Sequence, residues 1–193
     1  MKRWIALATL LVALSACSGR TVVTAEVDVL SFLDTADLTQ ELTVPGSIEV
    51  YVPDADDNLT TPDGGYLVDA VPLLDQLTGF GVRVEIELEN TGSGALEVGA
   101  TFRLAPASDS VNIYDGNDDV ALADASASLA PGATQTVVLE ATLAQGDPKL
   151  DLITGDGFRI GLDVRATGSS TVRYRLTGFA LTLSQRPFDL IVP

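Results

Sequence analysis

The side chains available for chemistry in this sequence are overwhelmingly carboxylates. Asp54-Ala55-Asp56-Asp57-Asn58 and Asp115-Gly116-Asn117-Asp118-Asp119 both place oxygen ligands at alternate positions, which is how a calcium loop of the EF-hand type begins. Both then depart from that pattern. Leu59 and Val120 stand where the turn requires glycine, and Gly65 and Ser126 stand where a bidentate glutamate closes the shell. An EF-hand is therefore excluded, whereas a looser calcium site shared between two loops is not. Its ligands would be Asp115, Asn117 and Asp119 together with Asp147, Asp151 and Asp156. The simpler role for the same aspartates is to start turns and keep the chain soluble. Paired carboxylates are also the machinery of glycoside hydrolysis, but among 27 acidic residues the presence of some pair carries no information.

Other chemistries lack their parts. The chain has no histidine, which removes the usual general base, any Ser-His-Asp triad and the commonest metal ligand. It has one cysteine, which excludes an internal disulfide and a thiolate cluster. No Gly-x-Ser-x-Gly elbow and no phosphate-binding glycine loop occurs. A Ser–Lys dyad would have to use Lys149, in a Gly-Asp-Pro-Lys segment that reads as a loop. Tyr51 and Tyr66 flank one long loop and could form a small aromatic platform; half-buried strand-end positions, with their hydroxyls reaching water, suit them better. No catalysis and no cofactor other than a calcium ion is expected. With 27 acids against 11 bases the net charge is −16, and such a surface repels a nucleic-acid backbone.

The N-terminus is the most specific segment. Lys2 and Arg3 precede the apolar run Trp4–Leu14, followed by Ser15, Ala16 and Cys17. That is the layout of a secretory signal peptide, and the run is too short to span a membrane. The tetrad Leu14-Ser15-Ala16-Cys17 closely resembles the lipobox of bacterial lipoproteins. The resemblance implies removal of residues 1–16, a diacylglyceryl thioether on Cys17 and acylation of the new amine, with 17–20 as a lipidated tether and 21–193 as the folded domain. Several acyl chains on one residue suffice for stable anchoring. Ser18 stands where an aspartate would imply retention in an inner membrane, so in a cell with two membranes the resemblance implies the outer one. Lys149 would then be the only lysine and no tryptophan would remain.

From Thr21 onward the pattern is that of strands. Val82-Arg83-Val84-Glu85-Ile86-Glu87-Leu88-Glu89 alternates strictly, and after Asn90–Gly94 the alternation resumes with Leu96, Val98, Ala100, Phe102 and Leu104. These runs are expected to form a hairpin. Phe158, Ile160, Leu162, Val164 and Ala166 form a second inward-facing set, with Arg159, Asp163 and Arg165 outside. Thr167-Gly168-Ser169-Ser170 should turn that strand into a partner running from Thr171 to about Ser184. Weaker strands are expected at 22–30, 38–44, 48–52, 111–114, 120–129 and 134–143, and one short helix at 69–77 with Pro72 in its first turn. About nine or ten strands with short polar turns and no crossover helices predict an all-β antiparallel sandwich.

Two segments narrow that class. Val84–Ala95 looks like the strand–Asn-x-Gly–strand hairpin of bacterial immunoglobulin-like envelope domains, and Ser128-Leu129-Ala130-Pro131-Gly132-Ala133-Thr134-Gln135-Thr136-Val137 resembles their Leu-x-Pro-Gly turn before a core strand. Pro131 fixes φ there and Gly132 supplies a positive φ. The resemblance implies an immunoglobulin-like sandwich and carries no activity with it. The expected function is a lipid-anchored envelope protein that binds, with an envelope protein as possible partner, or gives structural support. The alternatives are a calcium-dependent adhesion module and, from another class, a carboxylate-based hydrolase.

Overall fold

The computed structural model describes residues 22–54, 58–69, 77–153 and 156–186. Cys17, the lipobox, the 17–20 tether and positions 70–76 of the expected helix lie outside these. Among these described residues eight strands follow in chain order: β1 (Val23–Asp28), β2 (Thr39–Val52), β3 (Tyr66–Val68), β4 (Leu77–Asn90), β5 (Leu96–Pro106), β6 (Val120–Leu129), β7 (Thr134–Ala144) and β8 (Phe158–Gln185). All pairing is antiparallel, in one hydrogen-bonded network centred on β8.

The expected antiparallel sandwich is what forms, but its strand order is jelly-roll-like and two expected hairpins are replaced. β8 does not reverse at Thr167–Ser170. It runs unbroken for 28 residues and bends where Gly168 (φ +134°) lies opposite Gly46 (φ +135°) of β2. Both glycines occupy a region that L side chains avoid, so the two longest strands fold over together. Before the bend, β8 pairs with β5 on one side and with β3 and the end of β2 on the other; after it, β8 pairs with β4 on one side and with β1 and the start of β2 on the other. The β4 and β5 strands are therefore not a hairpin: they lie in opposite layers, and Asn90–Ala95 carries the chain across. The 111–114 segment forms turns rather than a strand, and the separate strands expected at 38–44 and 48–52 are the two arms of β2.

The core lies between the layers. Ile86, Phe102, Leu104, Leu139, Ile160 and Leu162 are fully buried, and the layers interlock through edge-on ring pairs, Phe80–Phe158 at 5.7 Å and Phe102–Phe179 at 5.9 Å. The outer face of the β4 layer carries a ladder of exposed ion pairs, with Arg83 on Glu85 and Glu140, Arg173 on Glu41 and Glu89, and Arg175 on Glu87. Such pairs add little stability individually, but they keep a flat, solvated face charged against edge-to-edge or face-to-face association.

At the bend end of the sandwich the segments Val84–Ala95 and Ser128–Val137 meet. Asn90 is fully buried. Its amide nitrogen donates to the Gly94 and Leu129 carbonyls at 2.7 and 3.0 Å. Its oxygen accepts from the Gly92 N–H at 3.2 Å and the Ser170 hydroxyl at 2.8 Å. Its backbone binds the Pro131–Gly132 turn, where Gly132 has φ +73°. One side chain thus ties the β4–β5 link, the β6–β7 turn and β8 together.

Candidate functional site

Three loops gather at the end of the sandwich opposite the bend: 53–65 between β2 and β3, 107–119 between β5 and β6, and 145–157 between β7 and β8. Counting strands as an up-and-down chain would set the Asp54 and Asp115 loops at opposite ends. Because β2 and β8 change layers, the 53–65 and 107–119 loops instead touch: the Ile113 N–H donates to the Asp63 carbonyl at 3.0 Å. Arg159 then staples both, donating to the carbonyls of Ala107 at 3.0 Å and Gly64 at 2.9 Å.

The 107–119 loop folds back over the outer face of β8. A side chain at Gly161 would collide with the Tyr114 hydroxyl and Ile113, so glycine is what allows the loop to lie flat. Beneath it, Arg103 of β5 donates to Asp119 and, at 3.0 Å, to Asp163. Asp163 is on the outer face, as expected, but it is buried because the loop covers it. The Asp119 carboxylate accepts from Arg103 with one oxygen and from the Gly116 N–H at 2.6 Å with the other. Tyr51 packs on Tyr114 at 4.6 Å and not on Tyr66. Tyr51 lies opposite outward-facing Asp163, whereas Tyr66 lies opposite inward-facing Ile160, so the two tyrosines are on different faces and form no platform. Burial, with Asp63 and Asp163 nearby, pushes the Tyr114 hydroxyl well above its ordinary range.

The six residues considered for calcium are accounted for individually. Asp115 accepts from the backbone and side-chain amides of Asn117 at 2.9 and 2.8 Å. Asp147 caps the short helical turn Pro148–Leu152 through the Lys149 N–H at 2.9 Å. Asp151 and Asp156 are exposed. Among the described residues no group of three or more Asp, Glu, Cys or His side chains is placed to hold a metal ion. Asp115, Asp119 and Asp147 thus each accept turn or cap hydrogen bonds.

A second acidic feature was not legible as a site. Along the open edge of the sandwich, the linker from β1 to β2 carries the helical turn Thr35–Leu38 and faces the chain leaving β2. Between them is a recess of about 350 Å³ lined by Asp34, Asp37, Gln40, Leu42, Asp54 and Leu59. Asp37 is buried and accepts from the Asp54 N–H at 3.0 Å. Burial, followed by the nearby carboxylates of Asp54 and Asp34, raises its pKa above the usual aspartate value even though the amide hydrogen bond opposes this.

No protein-family model and no curated protein matches the chain in sequence. Among solved structures, the chain is similar to a chain of infectious bursal disease virus Gt strain, with 16% identity and a TM-score of 0.47 over 89% of this chain and 34% of that one. It thus spans about a third of the viral chain's length. Eiger TNF from S. frugiperda matches at 10% identity and a TM-score of 0.38, over 86% of this chain and 93% of that one. A CBM22-1–GH10 segment of xylanase 10B from Clostridium thermocellum, complexed with xylohexaose, matches at 10% identity and a TM-score of 0.33, over 81% and 28%. Likenesses this distant bring no role and no ligand to this chain.

Proposed function

We propose that the chain is a lipid-anchored envelope protein that acts by binding or by structural support. The observation that carries this reading is the Leu14-Ser15-Ala16-Cys17 tetrad, placed after a short apolar run and directly ahead of an antiparallel sandwich. With the lipid on Cys17, only residues 18–22 separate the anchor from β1, a reach of about 21 Å at full extension. β1 enters the sandwich at Val23 beside Gln185, at the end where the three acidic loops gather. That end would therefore lie toward the membrane. The bend end, with Asn90 and the Pro131–Gly132 turn, would point away and present the exposed surface to partners. An acidic body with no polybasic patch stands off from anionic headgroups, so the lipid alone holds it.

The test is cell fractionation of the wild type and Cys17→Ser, with acyl labelling. The wild type should remain in washed membranes and take up label, and Cys17→Ser should leave them unlabelled. A Cys17→Ser form that persists in membranes with unchanged mobility and labelling refutes the anchor. Affinity capture from intact envelopes, with Cys17→Ser as the control for membrane co-purification, then identifies the partner.

A further inference from the structure

We propose that Asn58 is a glycosylation site, its side-chain nitrogen accepting an oligosaccharide from a lipid-linked diphosphate donor. This rests on the export read from the N-terminus, because such transfer acts on secreted chains. Asn58-Leu59-Thr60 is an Asn-x-Thr triplet with a residue other than proline in the middle, the pattern that glycosyl transfer to asparagine requires. No other asparagine qualifies: Asn90, Asn112 and Asn117 are followed two positions later by Gly92, Tyr114 and Asp119. A triplet alone is a short motif; what sets this one apart is how the chain presents it.

Asn58 and Thr60 are both exposed, while Leu59 between them is half-buried and its carbonyl accepts from the Tyr51 N–H at 2.8 Å. The turn is thus fastened to β2 by its middle residue and offers the two flanking side chains to solvent. It closes on itself through the Thr61 N–H, which donates to the Asn58 carbonyl at 2.8 Å. A carboxamide nitrogen is a poor nucleophile, because its lone pair is delocalised into the carbonyl. Two local hydrogen bonds act against that. The Thr60 hydroxyl donates to Asn58 Oδ1 at 3.0 Å, and Asn58 Nδ2 donates to the Thr61 hydroxyl at 2.7 Å. A donor on the oxygen and an acceptor on the N–H both favour loss of an Nδ2 proton, since the oxygen then carries the charge. In the transfer, the Nδ2 lone pair bonds to the anomeric carbon of the first sugar. The bond from that carbon to the diphosphate oxygen breaks, its electron pair leaves with the diphosphate, and the Nδ2 proton passes to water. Because the donor is lipid-linked, the transferase works at a membrane. The 53–65 loop that holds Asn58 lies at the end of the sandwich that the Cys17 tether would hold toward the membrane.

The test is mass spectrometry of the full chain, purified from membranes of the cells that make it and cut after glutamate. No glutamate lies between Glu49 and Glu85, so one fragment, 50–85, contains the triplet. That fragment should be heavier than its sequence mass by a whole number of sugar units, and electron-transfer fragmentation should place them on Asn58. Asn58→Gln and Thr60→Val should return it to its sequence mass. Thr60→Ser, which keeps the hydroxyl, should keep the glycan. The wild-type fragment decides the matter whether or not a variant folds: found only at its sequence mass, it overturns the proposal. A glycan that persists in Asn58→Gln or in Thr60→Val overturns it as well. Acyl labelling of the same preparation reads the anchor separately. An acylated chain without glycan overturns glycosylation alone, and a glycosylated chain without acyl label overturns the anchor alone.

Discussion

Asn90 offers the sharpest test of how the two layers are joined, because four hydrogen bonds converge on one buried amide. Replacing it with alanine deletes all four. At about 1 kcal/mol net for each bond, and with the partly exposed groups of Gly92, Gly94 and Ser170 regaining water, the loss should be about 3 kcal/mol. The Leu129 carbonyl, which is buried, is the partner that does not recover. Asn90→Asp is more informative. It keeps the shape and the acceptor side but turns the donor nitrogen into a second oxygen facing two carbonyls. A buried carboxylate in that position costs about 3–5 kcal/mol when ionised, a large share of the stability of an ordinary domain.

The carboxyl would respond by holding its proton, which raises its folded-state pKa above the unfolded value. The native state then binds more protons, so the deficit of Asn90→Asp is smallest below the unfolded aspartate pKa and grows as pH rises to the folded one. Urea unfolding followed by far-UV circular dichroism, at about pH 4 and about pH 7, measures this directly. Wild type taken through the same series removes the background titration of the other acids. A second arm uses Ser170→Ala, alone and combined with Asn90→Ala. The Ser170 hydroxyl both donates to Asn90 and accepts from the Gly94 N–H, so the two losses should be less than additive. Equal midpoints for wild type and Asn90→Asp at neutral pH, or strict additivity in the cycle, would show that Asn90 is not the tie between the layers.

Other substitutions probe the strands, the bend and the recess. Ile86→Asp should destabilise by about 3 kcal/mol or more, because it buries an unpaired charge at a fully buried site; Glu87→Ser, which loses only the exposed pair with Arg175, should stay within about 0.5 kcal/mol, and equal melting shifts would deny β4 its faces. Gly168→Ala meets both a forbidden φ and a collision with the Ala95 carbonyl and Leu96, whereas Gly46→Ala meets only the φ. Both should lower the unfolding free energy measured by denaturant titration, Gly46→Ala by about 1–3 kcal/mol and Gly168→Ala by more; the reverse order would contradict the bend. Asp37→Asn should stabilise the protein at neutral pH, since the folded-state pKa of Asp37 is raised. That gain should fade as pH falls through the raised pKa and vanish below the ordinary aspartate value of 3.8, and a gain independent of pH would place its origin elsewhere.

What the sequence revealed and what it concealed both follow from the period of two. Alternation fixed which residues face inward: Leu96, Val98, Ala100, Phe102 and Leu104 are all buried, as are Phe158, Ile160, Leu162, Val164 and Ala166. It did not fix which strand pairs with which, because alternation is a property of one strand and pairing a property of two. Glycine-rich polar segments were read as reversals at Thr167–Ser170 and as a hairpin turn at Asn90–Gly94, and neither is a hairpin. For the first, the phase of the pattern contains the answer. Val164, Ala166, Gly168, Ser170, Val172 and Tyr174 keep one parity straight through the glycine, as do Val44, Gly46, Ile48 and Val50, and a strand that bends without reversing must keep it. The recess was illegible for a related reason. Asp34, Asp37 and Asp54 belong to segments that look like ordinary acidic loops. Only the path of β2 and of the linker before it brings Asp34, Asp37 and Asp54 to the wall of one recess. In a sandwich whose two longest strands bend between layers, which groups share a surface is therefore set by cross-strand register and not by proximity in the chain.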